Sequence, residues 1–275
     1  MRKHRLLLAA LVLAGILSCS KLSSVDEVTV PVHFTVSLEA ATKAISDGTS
    51  ANQLIVGVLD AEGNPLDDYR KVVTRSPGQA FSFELKLVGQ MEYTVLLFAQ
   101  SAERFISSTA YSGDSGTAAQ LFSVPLPSAM TLNTELDDAF TGSSTFTASS
   151  TSIGIVLTHA WGQVNIASAG DIEDISAVTL TIPGLPSHYD VRTSETSSGS
   201  VMQTLTVTGN PLSGKIFNDG STDYHYIGYA YVPIGKTLFY TSPTLVLTRS
   251  GTPTGITLGS IPLQANYRTN ILGDL

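Results

Sequence analysis

The chain of 275 residues carries 15 Lys and Arg against 23 Asp and Glu, a formal charge of −8, and has a single cysteine. The acidic balance argues against nucleic acid or an anionic membrane surface as a partner. One cysteine leaves no intramolecular disulfide, so the fold must rest on its core.

The first residues read as a targeting segment. Arg2, Lys3 and Arg5 precede an apolar run from Leu6 to Leu17, too short to cross a bilayer as a helix. Ile16-Leu17-Ser18-Cys19 then has the form of a lipobox, with a small residue before the cut and a thiol to take the diacylglycerol. Residues 1–18 are therefore expected to be a lipoprotein signal peptide and Cys19 the lipidation site, giving membrane contact through an N-terminal lipid. Acyl chains contribute roughly 0.8 kcal/mol per buried CH₂, so two or more make a stable anchor. Removing residues 1–18 takes away three basic and no acidic residues, which leaves 257 residues and lowers the charge from −8 to −11. That length suits one large or two ordinary domains.

Past Cys19 the dominant signal is period two. From Val28 to Leu38 every even residue is apolar, and Val28, Val30, Val32, Phe34, Val36 and Leu38 line one face of a predicted strand. Pro31, without an N–H, suits an edge or the early part of that strand. Leu54–Asp60 and Phe81–Leu87 are further strands. Tyr93–Ala99 is a continuous apolar run, as expected of a strand buried on both faces. Asn133–Phe140 is the best candidate for a short helical turn. The polar segment 141–152 reads as a linker or an edge hairpin, and places a boundary near residue 150, between units 19–150 and 151–275. Beyond it, strands are predicted at Ile153–Leu157, Gln163–Ala167, Ala177–Ile182, Val201–Val207, Tyr226–Val232, Thr244–Leu247 and Ile256–Leu263. Turn signals separate most of them, at Pro183-Gly184, Gly209-Asn210-Pro211 and Asn218-Asp219-Gly220. The pattern predicts an all-β fold of sandwich type.

Chemistry-bearing motifs are sparse. His33, His159, His188 and His225 show no metal-ligand spacing. His188-Tyr189-Asp190 and Asp223-Tyr224-His225 each put His and Asp on one strand face, but nothing in the sequence joins them, and polar turn segments are the simpler reading. Asp67-Asp68, Asp137-Asp138 and Asp171-Ile172-Glu173-Asp174 lack the calcium-loop pattern and read as solvated loop acids. No nucleophile elbow or phosphate loop is present. Neither catalytic residues, a metal nor a cofactor is expected. Tyr224, Tyr226, Tyr229 and Tyr231 could stack on glycans, although their spacing favours packing within a sheet.

The chain resembles the fimbrillin-like lipoproteins, subunits and anchors of strand-exchanged pili. Thr42-Lys43-Ala44-Ile45-Ser46-Asp47-Gly48 followed by Leu54–Gly63 is similar to the family's opening. In family order come Tyr93–Gln100, Leu157–Ile166, Val178–Pro186 and the ending Pro262-Leu263-Gln264-Ala265-Asn266-Tyr267-Arg268-Thr269-Asn270-Ile271-Leu272-Gly273. His159-Ala160 stands where the family usually has Arg-Pro, and Trp161-Gly162 replaces a Phe-Ala type pair. The resemblance implies two transthyretin-like β-sandwich domains.

It also implies a role: a fimbrial subunit or anchor at the cell surface, held at the outer membrane by lipid, whose partners are other pilus subunits. In that family an N-terminal strand is cut away after Arg or Lys, and a neighbour's strand fills the groove. Val28–Leu38 would be that strand here, and Lys43 is the candidate cut, being the first basic residue after Lys21. The alternative is a surface glycan-binding lipoprotein, which a face of exposed aromatics would favour.

Overall fold

The computed structural model describes residues 28–39, 48–197, 201–212 and 214–275. Cys19 and Lys43 lie outside the described residues. The described chain is nearly all β. Its β-branched and alternating runs explain this, because such side chains pack well on a pleated surface and lose rotamer freedom in a helix. The one α-helix among the described residues is Ser108–Ser112, capped by the Ser107 hydroxyl, which accepts from the Ala110 N–H.

The first strands in chain order are β1 (Thr29–Leu38), β2 (Gln53–Leu59), β3 (Lys71–Thr74), β4 (Phe81–Val88) and β5 (Glu92–Gln100). Short β6 (Val124–Pro125) and β7 (Ala129–Thr131) follow, then β8 (Ala139–Thr147) and β9 (Thr151–His159). Seven of these make one sheet in the order β3-β2-β5-β8-β9-β1-β4. The sheet closes on a single core, where Val32, Phe34 and Val36 of β1 join Leu54, Val56 and Val58 of β2 and Val95 and Leu97 of β5. At its two edges the Lys71 ammonium of β3 donates to the Glu84 carbonyl of β4 at 2.6 Å, so the edges approach each other.

Strands β2 and β5 are covered on their reverse faces as well. Ile55, Leu59, Leu96 and Phe98 point into a second core, which they share with Tyr111, Leu121, Trp161 and the rest of the chain. Gly57 lies between Ile55 and Leu59 on this reverse face. A Cβ there would meet Leu121 Cδ1 at 2.8 Å, so the missing side chain is what lets Leu121 and Tyr111 approach.

The remaining strands are β10 (Gly162–Ser168), β11 (Ile175–Pro186), β12 (His188–Asp190), β13 (Glu195–Thr196), β14 (Met202–Gly209) and β15 (Ile216–Asn218). After them come β16 (Asp223–Val232), β17 (Phe239–Thr241), β18 (Thr244–Arg249), β19 (Thr252–Thr257), β20 (Ile261–Leu263) and β21 (Arg268–Gly273). They form sheets in the orders β15-β16-β10-β21, β19-β18-β11-β14-β7, β13-β12-β6 and β17-β20. Sheet membership thus interleaves with sequence. Residues 124–131 pair with β12 and β14, while 151–159 pair with β1. The change from the first sheet to the others falls at Ala160–Trp161.

Several local expectations change. Segment 141–152 is neither linker nor edge hairpin: β8 pairs with β5 along its whole length and with β9 only at Phe140↔His159 and Thr141↔Thr158. Pro183-Gly184 does not end a strand but makes a bulge inside β11, with Gly184 at φ +74°. Ile256–Leu263 splits into β19 and β20, which belong to different sheets. Asn133–Phe140 yields only a 3₁₀ turn at Glu135–Asp137 before β8 begins.

Candidate functional site

Strand β1 carries the alternating face read from the sequence, and its neighbours define a groove. It runs antiparallel to β4, with Phe34 opposite Phe83, and parallel to β9, with Phe34 beside Ile153. Pairing with β9 begins only at Val32, so Pro31 lies in the early stretch that has one neighbour and its missing N–H leaves no gap in the β9 ladder. Val32, Phe34 and Val36 are fully buried, Val30 and Leu38 are half-buried, and Val28 is 75% exposed. Phe34 stacks on Phe83 at 4.8 Å and meets Phe146 edge-on at 5.4 Å. The opposite face of β1 is solvated, and its His33 pairs with Glu84 at 3.4 Å. An exposed pair of this kind adds little stability.

The other candidate residues are structural. His188 lies on β12, its Nδ1 2.9 Å from the Ser187 hydroxyl, and Asp190 takes a forked hydrogen bond from Arg192. Asp223 and His225 sit on β16 in a different sheet, where Asp223 accepts from the Asn218 amide at 2.6 Å. The two triplets are therefore not brought together. Among the described residues, no group of three His, Cys, Asp or Glu could hold a metal. Asp67 accepts from the Ala118 N–H at 2.7 Å, which holds its carboxyl below the usual range, and from the Thr117 hydroxyl. Asp137 ties Arg104 to the Thr131 N–H, and Asp174 pairs with Arg249. Tyr229 and Tyr231 are buried and packed edge to face at 6.0 Å, while Tyr224 and Tyr226 are half-buried beside Phe217.

One constellation has no local sequence signal. Asp138, fully buried, holds His159 Nδ1 at 3.0–3.1 Å, and the imidazole leans on the Phe140 ring at 4.3 Å. His159 is 5% exposed, and its Nε2 has no hydrogen-bond partner among the described residues. It lines a cleft of 310 Å³ between the first sheet and the elements around Tyr189, Lys236 and Gln264–Tyr267. Trp161 next to it packs edge-on against Phe98, Phe105 and Tyr189, joining the two sides of this junction. Burial pushes the Tyr189 phenol far above its usual range, so it stays protonated. Twenty-one residues separate Asp138 from His159, which is why only the β8–β9 register reveals the pair.

The model of a family of unknown function, DUF6562, matches residues 23–275. No curated protein matches the sequence. Among solved structures, a candidate adhesin from Bacteroides thetaiotaomicron shares 15% identity at a TM-score of 0.50, covering 85% of this chain and 79% of that one. The fimbrial anchor protein Mfa2 from Porphyromonas gingivalis shares 11% identity at a TM-score of 0.46, covering 86% and 100%. The C-terminally truncated tip fimbrial protein Mfa3 of the same organism shares 9% at 0.47, covering 89% and 94%. At such identity the first likeness is one of fold.

Proposed function

The chain belongs to the DUF6562 family, a match that runs over residues 23–275, and from its geometry we propose that it is a fimbrial subunit or anchor lipoprotein of the cell surface. Cys19 carries the lipid at the outer membrane, and assembly proceeds by β-strand exchange with other subunits. The likeness in fold to a candidate adhesin agrees with a surface role.

The observation that supports exchange most directly is the position of β1. It is an interior strand, yet one cut after Lys43 would part it from every other strand of its sheet. Each apolar side chain it buries is worth roughly 1.5–3 kcal/mol against exposure. Its loss would leave an apolar trough flanked by two unpaired edges, those of β4 and β9, which is a template for another strand. If the cut does not occur, the lipid stays attached and the protein serves as an anchor. The same reading divides the chain into two β-sandwich domains, 19–150 and 151–275.

The test compares the chain from Cys19 with one starting after Lys43, by size-exclusion chromatography with light scattering. The longer chain is expected to be monomeric. The shorter one is expected to self-associate or to bind a peptide of the sequence Val28–Leu38. A shorter chain that stays a stable monomer and ignores the peptide would end the exchange reading. Separately, Cys19→Ala is expected to move the protein out of the membrane fraction, and unchanged fractionation would end the anchor reading.

A further inference from the structure

We propose that β9 is the edge along which two copies of this chain pair side by side, strand to strand and antiparallel. In sheet order β9 stands between β8 and β1, yet β8 pairs with it only at Phe140↔His159 and Thr141↔Thr158. From Thr151 to Leu157 its ladder is with β1 alone. The Leu157 carbonyl accepts from the Glu39 N–H at 2.7 Å, so the backbone groups of the odd-numbered residues face β1. Those of Ser152, Gly154 and Val156 alternate to the other side, where no strand among the described residues pairs with them.

Such an edge is a template for another strand, and proteins normally blunt it with charge, proline or shortness. The outer strands carry these devices. Lys71 lies on β3, Glu84 and Lys86 on β4, Pro253 on β19 and Arg268 on β21, while β7 and β15 are short. Strand β9 has none of them, and it runs against β1 without a register shift.

Charge selects the occupant. Residues 139–158, which hold β8 and most of β9, contain no Asp, Glu, Lys or Arg, although 14% of the chain is charged. Two copies of an acidic chain repel each other, and an uncharged strip is where they can touch.

The strand is also complementary to itself. With a two-fold axis at Gly154, Ser152 stands opposite Val156 of the second copy, and all three outward-facing residues exchange backbone hydrogen bonds. The solvent side then covers Val156, 61% exposed in the single chain, and the core side sets half-buried Ile153 against Ile155. A Cβ at Gly154 would meet nothing within 4 Å, so a second backbone has room to approach. One strand pair buries far less than the roughly 1,600 Å² of a standard interface. The chain therefore stays monomeric at micromolar concentration and pairs where copies are crowded together.

This pairing uses the side of β9 turned away from β1 and does not depend on strand exchange. The test is disulfide trapping in the chain from residue 19 carrying Cys19→Ala, so that an introduced thiol is the only one. Gly154→Cys is expected to form dimers on mild oxidation, because directly opposed residues of a hydrogen-bonded antiparallel pair stand about 5.5 Å apart, within disulfide reach. It should do so at least tenfold faster than Thr254→Cys on the exposed edge strand β19. Ser152→Cys and Val156→Cys, mixed, should link to each other at least tenfold faster than either links to itself. Adding Val156→Lys to Gly154→Cys should slow trapping at least tenfold while leaving thermal unfolding unchanged. Equal rates for Gly154→Cys and Thr254→Cys, or Ser152→Cys linking to itself as fast as to Val156→Cys, would overturn the pairing.

Discussion

The two cores are built on opposite plans. The first is enclosed by one continuous sheet, whose alternate residues point inward from β1, β2, β4, β5 and β9. The second is assembled from several small sheets, from the reverse faces of β2 and β5, and from the looped segment between β5 and β8. A strand of the first core can be lost as a unit and leave a defined slot. In the second core, short strands such as β6 and β7 are held by distant partners, and no single segment can leave without disturbing several sheets. An exchangeable strand therefore belongs to the first plan, and a fixed cleft belongs to the junction, where the second plan locks residues far apart in sequence.

Trp161 is where that contrast is easiest to break. It is 1% exposed and touches Phe98 from the first sheet and Tyr189 from the second region. Trp161→Ala should cost about 3–5 kcal/mol, the range for large aromatic truncations in a core. Both regions should lose stability together, read as a lowered midpoint for all amides in hydrogen exchange. Phe34→Ala should cost about 3–5 kcal/mol as well, because it removes a stack on Phe83 and an edge contact with Phe146. Its effect should stay in the first sheet, with β4 and β9 amides exchanging faster and those of β11 and β18 unchanged. A uniform loss from Phe34→Ala would mean that the two cores melt as one.

A smaller loss is expected at Gln100, whose amide is fully buried and fully used. It donates to Gln53 Oε1 and to the Ile106 carbonyl, each at 2.7 Å, and its oxygen accepts from the Phe105 and Ile106 N–H groups. Gln100→Leu leaves these groups orphaned, at about 1–3 kcal/mol for the pair that stays buried. Chemical denaturation should show the loss, and proteolysis should begin in residues 101–106. A variant as stable as the parent would show that water can reach the site.

How much of this is legible in the sequence depends on the range of the interaction. The face of β1, the doubly buried β5 and the all-β class follow from alternation within single strands, a local property. The bulge at Pro183-Gly184 is not legible, because a Pro-Gly pair signals a turn unless a flanking strand holds the chain straight through it, as β14 does for β11 by pairing with Ile182 and Leu185 on either side. Nor are β6 and β7, whose pairing to β12 and β14 is set by the second core rather than by their own two or three residues. The cleft was hidden for the same reason, since Asp138 and His159 meet only through register, and Tyr267 joins them from the far end of the chain.

The smallest effect expected lies at the start of β1. By alternation Val28 belongs to the same face as Val32, Phe34 and Val36, yet it is 75% exposed where those three are buried. The cause is the length of the neighbours. The ladder with β4 begins at Thr29↔Val88 and that with β9 at Val32↔Thr151, so Val28 projects beyond both and retains one backbone contact, its carbonyl accepting from the Gly89 N–H at 2.9 Å. That contact does not involve the side chain. Val28→Ser should therefore shift stability by less than about 0.5 kcal/mol, as surface substitutions do. Val32→Ser, on the same face and four residues further on, buries a hydroxyl and loses two methyl groups, and should cost several-fold more. Paired urea titrations of the two variants measure the difference. Equal losses would mean that the groove extends past the β4 and β9 ladders to the residue before β1, and that Val28 is covered in solution.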